Sequence, residues 1–249
     1  MRETMIEMRG ISKAFPGVQA LRDCSLEVYQ GEVHALLGEN GAGKSTLMKI
    51  LTGIYQADAG EILFNGRETK ITSVLDARAL GITMIHQELN LLSNLTIAQN
   101  IFIGKEIKHH GVFLDERATS AKAAELLERV NLHVGPNTMV SELTVAQQQM
   151  VEIAKAISYN SRVIIMDEPT APLSNSEIES LFAIIGEMKK SGISIIYISH
   201  RMDEIKRICD RATILRDGQY ISTVDVASTS LDDIIAAMVG RKIAYVRKG

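Results

Sequence analysis

The hydrophobic pattern is most informative around residues 33–51. The apolar run Val33–Leu37 is short, rich in branched residues and closed by a glycine, which predicts a buried strand. Three glycines punctuate the loop of residues 38–43 that follows. Apolar side chains then recur at Leu47, Ile50 and Leu51, the i, i+3, i+4 spacing that lines one face of a helix. This stretch is therefore predicted to fold as a strand, a glycine-rich loop and a helix.

Most of the remaining chain divides into strands and helices on the same grounds. Alternating or uninterrupted apolar positions predict strands at residues 5–8, 20–28, 62–64, 82–85, 163–166, 193–198, 213–216 and 220–223. The pairs Asn65-Gly66 and Asp217-Gly218 favour tight hairpin turns. Helical spacing predicts helices at residues 175–190, capped by Ser174 or Asn175, and at residues 231–239.

Residues 88–160 have a different pattern, in which helical spacing dominates and no strand is predicted. The apolar faces of two predicted helices are Ala121, Ala124, Leu127 and Val130, and then Met150, Ile153, Ala154 and Ile157. Residues 104–111 are expected to form an exposed loop that carries Lys105, Lys108, His109 and His110. We interpret the histidines as solvated rather than as metal ligands, because no carboxylate or cysteine accompanies them at ligand spacing.

Buried strands that alternate with helices indicate an α/β fold with a mostly parallel sheet covered on both faces. The hairpins are expected to add an antiparallel β edge. A chain of 249 residues is long enough to bury a substantial core as one domain. We therefore expect a single domain over residues 1–249, in which residues 1–87 and 161–249 form an α/β core and residues 88–160 form an inserted helical subdomain.

The composition argues against several classes of protein, among them nucleic-acid-binding, disulfide-rich and membrane-spanning proteins. The net charge of −3 provides no general attraction to nucleic acid, and 4% aromatic residues without tryptophan argue against a base-stacking surface. Two cysteines, Cys24 and Cys209, are too few for a disulfide framework and favour a reduced, intracellular setting. No secretory signal opens the sequence, and no run approaches the about 18 apolar residues of a membrane span. A soluble protein that binds no nucleic acid is expected.

The glycine loop has the spacing G-x-x-x-x-G-K-S between a predicted strand and a predicted helix, the context in which this pattern predicts phosphate binding. Glycines allow backbone N–H groups to turn toward an anion, and the helix N-terminus adds partial positive charge. Lys44 can then reach the outer phosphates, and Ser45 can offer a hydroxyl to Mg²⁺. The alternative is a glycine-rich turn with an unrelated lysine. We call this segment the phosphate cradle; it consists of Gly38, Glu39, Asn40, Gly41, Ala42, Gly43, Lys44, Ser45 and Thr46.

Other polar groups also follow predicted strands, and ligands of open α/β sheets bind beyond the carboxyl ends of the strands. Asp167, the last residue of its strand, is the candidate Mg²⁺ ligand, and Glu168 is the candidate general base. Gln87 is a candidate to contact Mg²⁺ and the attacking water, and His200 to contact the γ-phosphate. The alternatives are a pair of solvated carboxylates, a glutamine that caps the next element and a buried structural histidine.

Two further positions have alternative interpretations. Phe15 precedes a Pro-Gly turn and could stack on adenine or merely pack at a strand end. Thr144 and Gln147 have capping-box spacing, which exposes N–H groups at a helix start but is equally adequate as an ordinary cap.

Together these motifs resemble those of the ATP-binding cassette (ABC) ATPases over nearly the whole chain. Residues 38–45 of this chain match the Walker A motif of that family, and residues 163–167 match its Walker B motif. Phe15 matches the adenine-stacking aromatic, Gln87 the Q-loop, Glu168 the catalytic glutamate and His200 the switch histidine. The resemblance implies a P-loop NTPase core of the ABC type that uses ATP and Mg²⁺. Catalytic roles fall to Lys44, Gln87, Glu168 and His200, and metal binding falls to Ser45, Gln87 and Asp167.

Residues 38–42, 85–89, 152–156 and 238–241 further resemble the ATPases of bacterial monosaccharide importers of the ribose and galactose type. This resemblance implies a peripheral ATPase at the cytoplasmic face of the bacterial inner membrane. The implied partners are a second cassette, usually fused in one polypeptide, transmembrane permease subunits and, indirectly, a periplasmic sugar-binding protein. A non-transport cassette protein and a regulatory nucleotide-binding module are the alternatives. A GTPase is disfavoured because no Asn-Lys-x-Asp motif occurs.

The sequence departs from the family pattern at two places. The signature Leu-Ser-Gly-Gly-Gln is replaced by Leu143-Thr144-Val145-Ala146-Gln147, and the usual Ser-Ala-Leu-Asp after Walker B by Ala171-Pro172-Leu173-Ser174. Without the two glycines, backbone can approach a phosphate less closely. Each ATP in the family lies between the Walker motifs of one cassette and the signature of the other. The resemblance therefore implies an asymmetric pair, with one competent site that uses this chain's Walker residues and one impaired site that uses its residues 143–147.

Overall fold

The computed structural model describes residues 3–109 and 113–240. The strands found there are β1 (Thr4–Phe15), β2 (Val18–Tyr29), β3 (Val33–Leu37), β4 (Ala59–Phe64), β5 (Arg67–Glu68), β6 (Ile82–Ile85), β7 (Lys108–His109), β8 (Phe113–Leu114), β9 (Val163–Asp167), β10 (Ser194–Ile198), β11 (Arg211–Arg216) and β12 (Gln219–Asp225). The helices are α1 (Lys44–Leu51), α2 (Val74–Ala79), α3 (Ile97–Phe102), α4 (Glu116–Arg129), α5 (Val145–Ile157), α6 (Asn175–Lys190), α7 (Met202–Ile208) and α8 (Leu231–Val239). None of the helices within these ranges is both long and apolar enough to cross a membrane.

The central sheet has the strand order β12-β11-β3-β10-β9-β6. The strands from β11 to β6 run parallel, and β12 pairs antiparallel with β11 at one edge. The predicted α/β fold, its mostly parallel sheet and its antiparallel edge are confirmed. Because the parallel strands point the same way, the residues that follow β3, β6, β9 and β10 lie along one edge of the sheet.

The first two strands and the hairpin β4–β5 form a separate antiparallel sheet in the order β2-β1-β4-β5. The predicted turn is present, and Asn65 and Gly66 have φ values of 50° and 73°, which are left-handed as a tight turn of this kind requires. The expectation that the hairpins extend the central sheet is wrong for this one. Its sheet instead buries an apolar face, which includes Met8 and Leu26, in the same core as α1.

Successive residues of the central strands face two different cores. Ile165 and Ile196 point to the core shared with α1 and the antiparallel sheet, whereas Ile164 and Ile195 point to the core shared with α3, α4, α5 and α6. These four side chains are completely buried. The sheet is therefore covered on both faces, as the uninterrupted apolar runs predict.

Helices α3, α4 and α5 pack against one another between residues 88 and 160, in agreement with the helical spacing. The predicted apolar face of α5 is buried, but α4 buries Ala123, Leu126 and Leu127 and exposes Ala121. A register that buries both leucines removes more apolar area from water than one that buries alanines. The division of the chain into a core and a helical subdomain at residues 88–160 stays a prediction.

The segment that precedes α4 also differs from expectation. The short antiparallel pair of strands β7 and β8 occurs where no strand was predicted, because two-residue strands are too short to show a period. Lys105 is half-buried rather than exposed, with its ammonium 3.4 Å from the centre of the Tyr159 ring. His110 and Gly111 of the predicted loop lie outside the described residues.

Candidate functional site

The phosphate cradle lies between β3 and α1, and its backbone takes conformations that favour glycine. Gly41 and Gly43 have φ values of 84° and 99°, and a Cβ added at Gly43 would stand 2.5 Å from Leu21 Cδ2. An added Cβ at Gly38 would lie 2.4 Å from the carbonyl oxygen of Leu215. Packing therefore requires glycine at positions 38 and 43, whereas at position 41 the space is open and only the backbone favours it.

Lys44 is the first residue of α1 and folds back over the cradle. Its ammonium donates to the carbonyl oxygen of Gly38 at 2.6 Å and to that of Glu39 at 3.0 Å. Burial lowers the pKa of Lys44, while the carboxylates of Asp167 and Glu168 raise it. The ammonium thus stands at a helix N-terminus, where an anion bound by the cradle N–H groups would meet it.

Asp167 ends β9 as predicted, and the chain turns abruptly at Glu168. Glu168 has a left-handed φ of 51°, and its backbone N–H donates to the carbonyl oxygen of Ile198 at 2.9 Å. Its Oε1 lies 3.1 Å from His200 Nε2. The sequence predicted that side chains alternate at the strand end. It did not predict the left-handed backbone turn that accompanies the approach of the Glu168 carboxylate to His200.

The two carboxyl groups share an electrostatic feature. Burial is the main reason that the pKa of Asp167 and that of Glu168 are both raised. Coulombic interactions with Lys44 and His200 oppose this effect at both carboxyl groups, and the interaction with His86 opposes it most at Asp167. A carboxylate whose pKa is raised toward the working pH is a better proton acceptor, so Glu168 has the properties of a general base.

A cavity of about 410 Å³ joins the predicted groups. Its lining includes the cradle from Asn40 to Thr46, together with Gln87, Asp167, Glu168 and His200. The structure therefore brings the polar ends of four strands into one site. Gly38 and Glu39 do not line the cavity and instead form the part of the cradle that binds the Lys44 ammonium.

The cavity also has lining residues that no motif predicted. They are Val18, Gln19, Ala20, Ile198, Asp217 and Gly218. The turn at residues 217–218 was predicted only as a hairpin, yet the Gly218 N–H donates to the carbonyl oxygen of Ala42 at 3.3 Å. This approach depends on the pairing of β11 with β3, which no local sequence feature encodes.

Phe15 and residues 143–147 do not line this cavity. The Phe15 ring packs edge-on against Tyr55, with ring centroids 5.2 Å apart and an interplanar angle of 67°. Thr144 and Gln147 form a complete capping box at the start of α5, so the capping prediction is confirmed. Val145, the first residue of that helix, is 54% exposed.

The candidate metal ligands Ser45, Gln87 and Asp167 line a common recess beside the cavity. Hydroxyl, amide and carboxylate oxygens are the donors that Mg²⁺ takes, so these side chains fit the ion. Among residues 3–109 and 113–240 no cluster of three or more His, Cys, Asp or Glu side chains could hold a metal. Mg²⁺ in nucleotide sites is bound by one or two protein groups and phosphate oxygens and does not need such a cluster.

A strand, a glycine loop and a helix, with two carboxylates at the end of a parallel strand of the same sheet, define a P-loop nucleotide-binding domain. The family described as ABC transporter has a sequence model that matches residues 21–171, more than half of the chain. The chain belongs to the ABC transporter family.

Named relatives and solved structures support this classification. A Burkholderia ambifaria protein that carries the name ribose/galactose/methyl galactoside import ATP-binding protein 3 is 59% identical over 240 residues, which are 96% of this chain and 47% of that protein. A similarly named protein of Albidiferax ferrireducens is 53% identical over 246 residues, which are 98% of this chain and 49% of that protein. The chain therefore spans about half the length of the curated relatives it matches.

Two crystal structures have the same fold. A nucleotide-free ATP-binding cassette from an ABC transporter matches with a TM-score of 0.81 and 26% identity, and the match covers 95% of each chain. An ABC transporter cassette in its ADP conformation matches with a TM-score of 0.80 and 25% identity, covering 96% of this chain and 99% of that one. The P-loop NTPase fold of the ABC type is therefore confirmed.

Proposed function

We propose that the chain binds ATP in the phosphate cradle and hydrolyses it to energise sugar import. The cavity that joins the cradle to Gln87, Asp167, Glu168 and His200 is the observation that carries this proposal. Its position beyond the carboxyl ends of parallel strands is where nucleotides bind in this class of sheet. The names of the relatives support import and a monosaccharide as cargo.

Each group of the cavity has a chemical task in this proposal. Cradle N–H groups and Lys44 bind the β- and γ-phosphates, and Ser45, Gln87 and Asp167 hold Mg²⁺. When bound, Mg²⁺ neutralises charge on the phosphate oxygens. Glu168 accepts a proton from water as the water oxygen bonds to the γ-phosphorus and the bond to the β–γ bridging oxygen breaks. A general base of this kind contributes about 10²- to 10⁴-fold in rate, or about 3–5 kcal/mol of barrier.

His200 and Phe15 have the remaining tasks in this proposal, at the γ-phosphate and at the adenine. His200 supports the Glu168 carboxylate from 3.1 Å and contacts the γ-phosphate. Phe15, packed edge-on against Tyr55, and Val18, which is exposed at the cavity, provide apolar surface for adenine.

A second cassette is the proposed partner at the nucleotide. Residues 143–147 lie outside the cavity, as expected of a signature that faces the nucleotide of another cassette. The Thr144 and Gln147 side chains are engaged in their own capping box, and neither glycine of the family signature is present. We assign the efficient site to this chain's Lys44, Asp167 and Glu168 and the impaired site to its residues 143–147.

The permease is the proposed partner at a groove beside Gln87. This groove has a volume of about 300 Å³. Ile54 and Val74 line one side, and Lys155 of α5 and Tyr159, which follows that helix, line the other. Ile54 and Val74 are exposed, which suits an apolar helix face of a membrane subunit. Such docking locates the chain at the cytoplasmic face of the inner membrane, with a periplasmic sugar-binding protein acting on the far side. Sugar contacts none of this chain's residues in this scheme.

Nucleotide binding and turnover, measured with and without a second cassette, test the proposal. The chain alone should bind ATP in preference to GTP and hydrolyse it slowly, because a self-pair offers only the impaired signature. Addition of a second cassette with an intact signature should stimulate turnover. Absence of ATP binding would contradict the proposed function, and binding without turnover in the pair would indicate a regulatory module. Robust cooperative turnover by the chain alone would contradict the asymmetric pair.

A further inference from the structure

A buried carboxylate lies directly behind the loop that carries His200. Glu204, on α7, is 1% exposed. Its Oε2 accepts hydrogen bonds from the Tyr197 hydroxyl and from the Ser199 hydroxyl, both at 2.8 Å. Its Oε1 lies 3.1 Å from Arg201 Nη1 as an ion pair. A deeply buried carboxylate requires partners of this kind, and here two hydroxyls donate to Oε2 while Oε1 has, among the described residues, only the ion pair with Arg201.

The Glu204 carboxylate holds both chain neighbours of His200. Ser199 and Arg201 flank the histidine, and the Arg201 backbone N–H also donates to the Ser199 hydroxyl at 3.1 Å. His200 itself is about half exposed, and its Nε2 lies 3.1 Å from the Glu168 carboxylate. The position of the imidazole therefore depends on the loop, in which Ser199 is hydrogen-bonded to Glu204 and Arg201 forms an ion pair with it.

The same loop is connected to the other half of the reactive pair. The Glu168 backbone N–H donates to the carbonyl oxygen of Ile198, and Ile198 lies between Tyr197 and Ser199 in the chain. Hence Glu168 is hydrogen-bonded to the end of β10, which leads directly into the loop that carries His200.

We propose that Glu204 is a positioning residue for ATP hydrolysis: its buried carboxylate fixes the loop of residues 199–201 so that the His200 imidazole stays within hydrogen-bond distance of Glu168. The inference rests on the proposed function, because it concerns the reactive pair of that site. Glu204 does not line the cavity, so a nucleotide bound there would not contact it. Its effect is therefore expected on the hydrolytic step and not on the affinity for ATP.

The variant Glu204→Gln keeps the size of the side chain but removes the charge that holds Arg201. We expect kcat of the full chain to fall about 10- to 100-fold, since small displacements of reacting groups have effects of that size, with KM and the Kd for ATP changed less than twofold. The charge-retaining variant Glu204→Asp should recover part of the lost kcat. The matched control is Glu179→Gln, which removes an exposed carboxylate that pairs with Arg207 of α7 at 2.8 Å and contacts none of residues 199–201.

A second readout does not depend on turnover. In histidine-labelled protein, the His200 NMR resonance, assigned with His200→Gln, should shift and broaden in Glu204→Gln and stay unchanged in Glu179→Gln. If Glu204→Gln does not fold, Ser199→Ala, which removes one of the two hydrogen-bond donors to Glu204, should still shift the resonance and lower kcat.

The outcomes separate this inference from the proposed function. Wild-type turnover together with unchanged kcat and an unchanged His200 resonance in the folded variant would overturn the role of Glu204 alone. A loss of thermal stability with kcat retained would assign Glu204 a purely structural role and overturn it as well. A wild-type chain that neither binds nor hydrolyses ATP would overturn both.

Discussion

The backbone at Glu168 is strained, and two substitutions measure that strain. At a φ of 51° a residue with a side chain costs about 1 kcal/mol or slightly more, whereas glycine adopts this conformation readily. Glu168→Ala and Glu168→Gly both remove the carboxylate. The loss of the contact with His200 and the relief of burying a charge are therefore common to both variants and do not affect the difference between them. We therefore expect the glycine variant to be more stable than the alanine variant by about 1 kcal/mol.

Asp167 is the matched control because it lies one residue earlier, inside β9. In a strand, glycine at position 167 should be less stable than alanine by about 0.5–1 kcal/mol. Urea unfolding of the four nucleotide-free variants, followed by circular dichroism, gives both differences. In thermal melts, 1 kcal/mol corresponds to about 2–4 °C for a chain of this size. Equal stability of the two Glu168 variants, or a less stable glycine variant, would refute the argument from strain.

Three further predictions concern other parts of the chain. Gly43→Ala should destabilise the nucleotide-free protein more than Gly41→Ala, because only the first meets Leu21 Cδ2; equal midpoints in urea would contradict this. Burial lowers the pKa of Lys105 to about 8, so its charged form disfavours folding below pH 8 and this penalty fades as pH rises toward its unfolded pKa of about 10.5. In urea unfolding, the free energy of unfolding of Lys105→Met should thus exceed that of the wild type most at pH 7. An excess that grows toward pH 10 would exclude this cause. Val145→Gly with Ala146→Gly should raise the ATPase rate of the chain alone, although each glycine weakens the helix by about 1 kcal/mol; an unchanged rate per folded molecule would contradict the impaired signature.

The sequence predicted those features that depend on local pattern. The apolar runs gave the buried central strands, and the residue pairs at the turns gave the hairpins. The cradle was predictable because its glycines, Lys44 and Ser45 are contiguous, and Asp167 was correctly expected at the end of its strand. From the rule that ligands bind beyond the carboxyl ends of parallel strands, the sequence also predicted that Gln87, Glu168 and His200 lie near the cradle.

What the sequence missed depends on contacts between distant segments. Gly218 approaches Ala42 only because β11 pairs with β3. The left-handed turn at Glu168 is supported by the carbonyl oxygen of Ile198, 30 positions later in the chain. The buried register of α4 was likewise decided by packing, since both alanine and leucine positions fit a helical period.

The variant Glu168→Gln tests the central claim most directly. Glutamine keeps the shape of the side chain but cannot accept the proton of water, so ATP should bind with an affinity within about twofold of wild type while hydrolysis falls at least about 10²-fold. Equilibrium binding of ATP and release of phosphate, measured on the same protein in the presence of Mg²⁺, give both quantities. Retained binding with blocked hydrolysis is the predicted result. Near-normal hydrolysis in this variant would contradict the account.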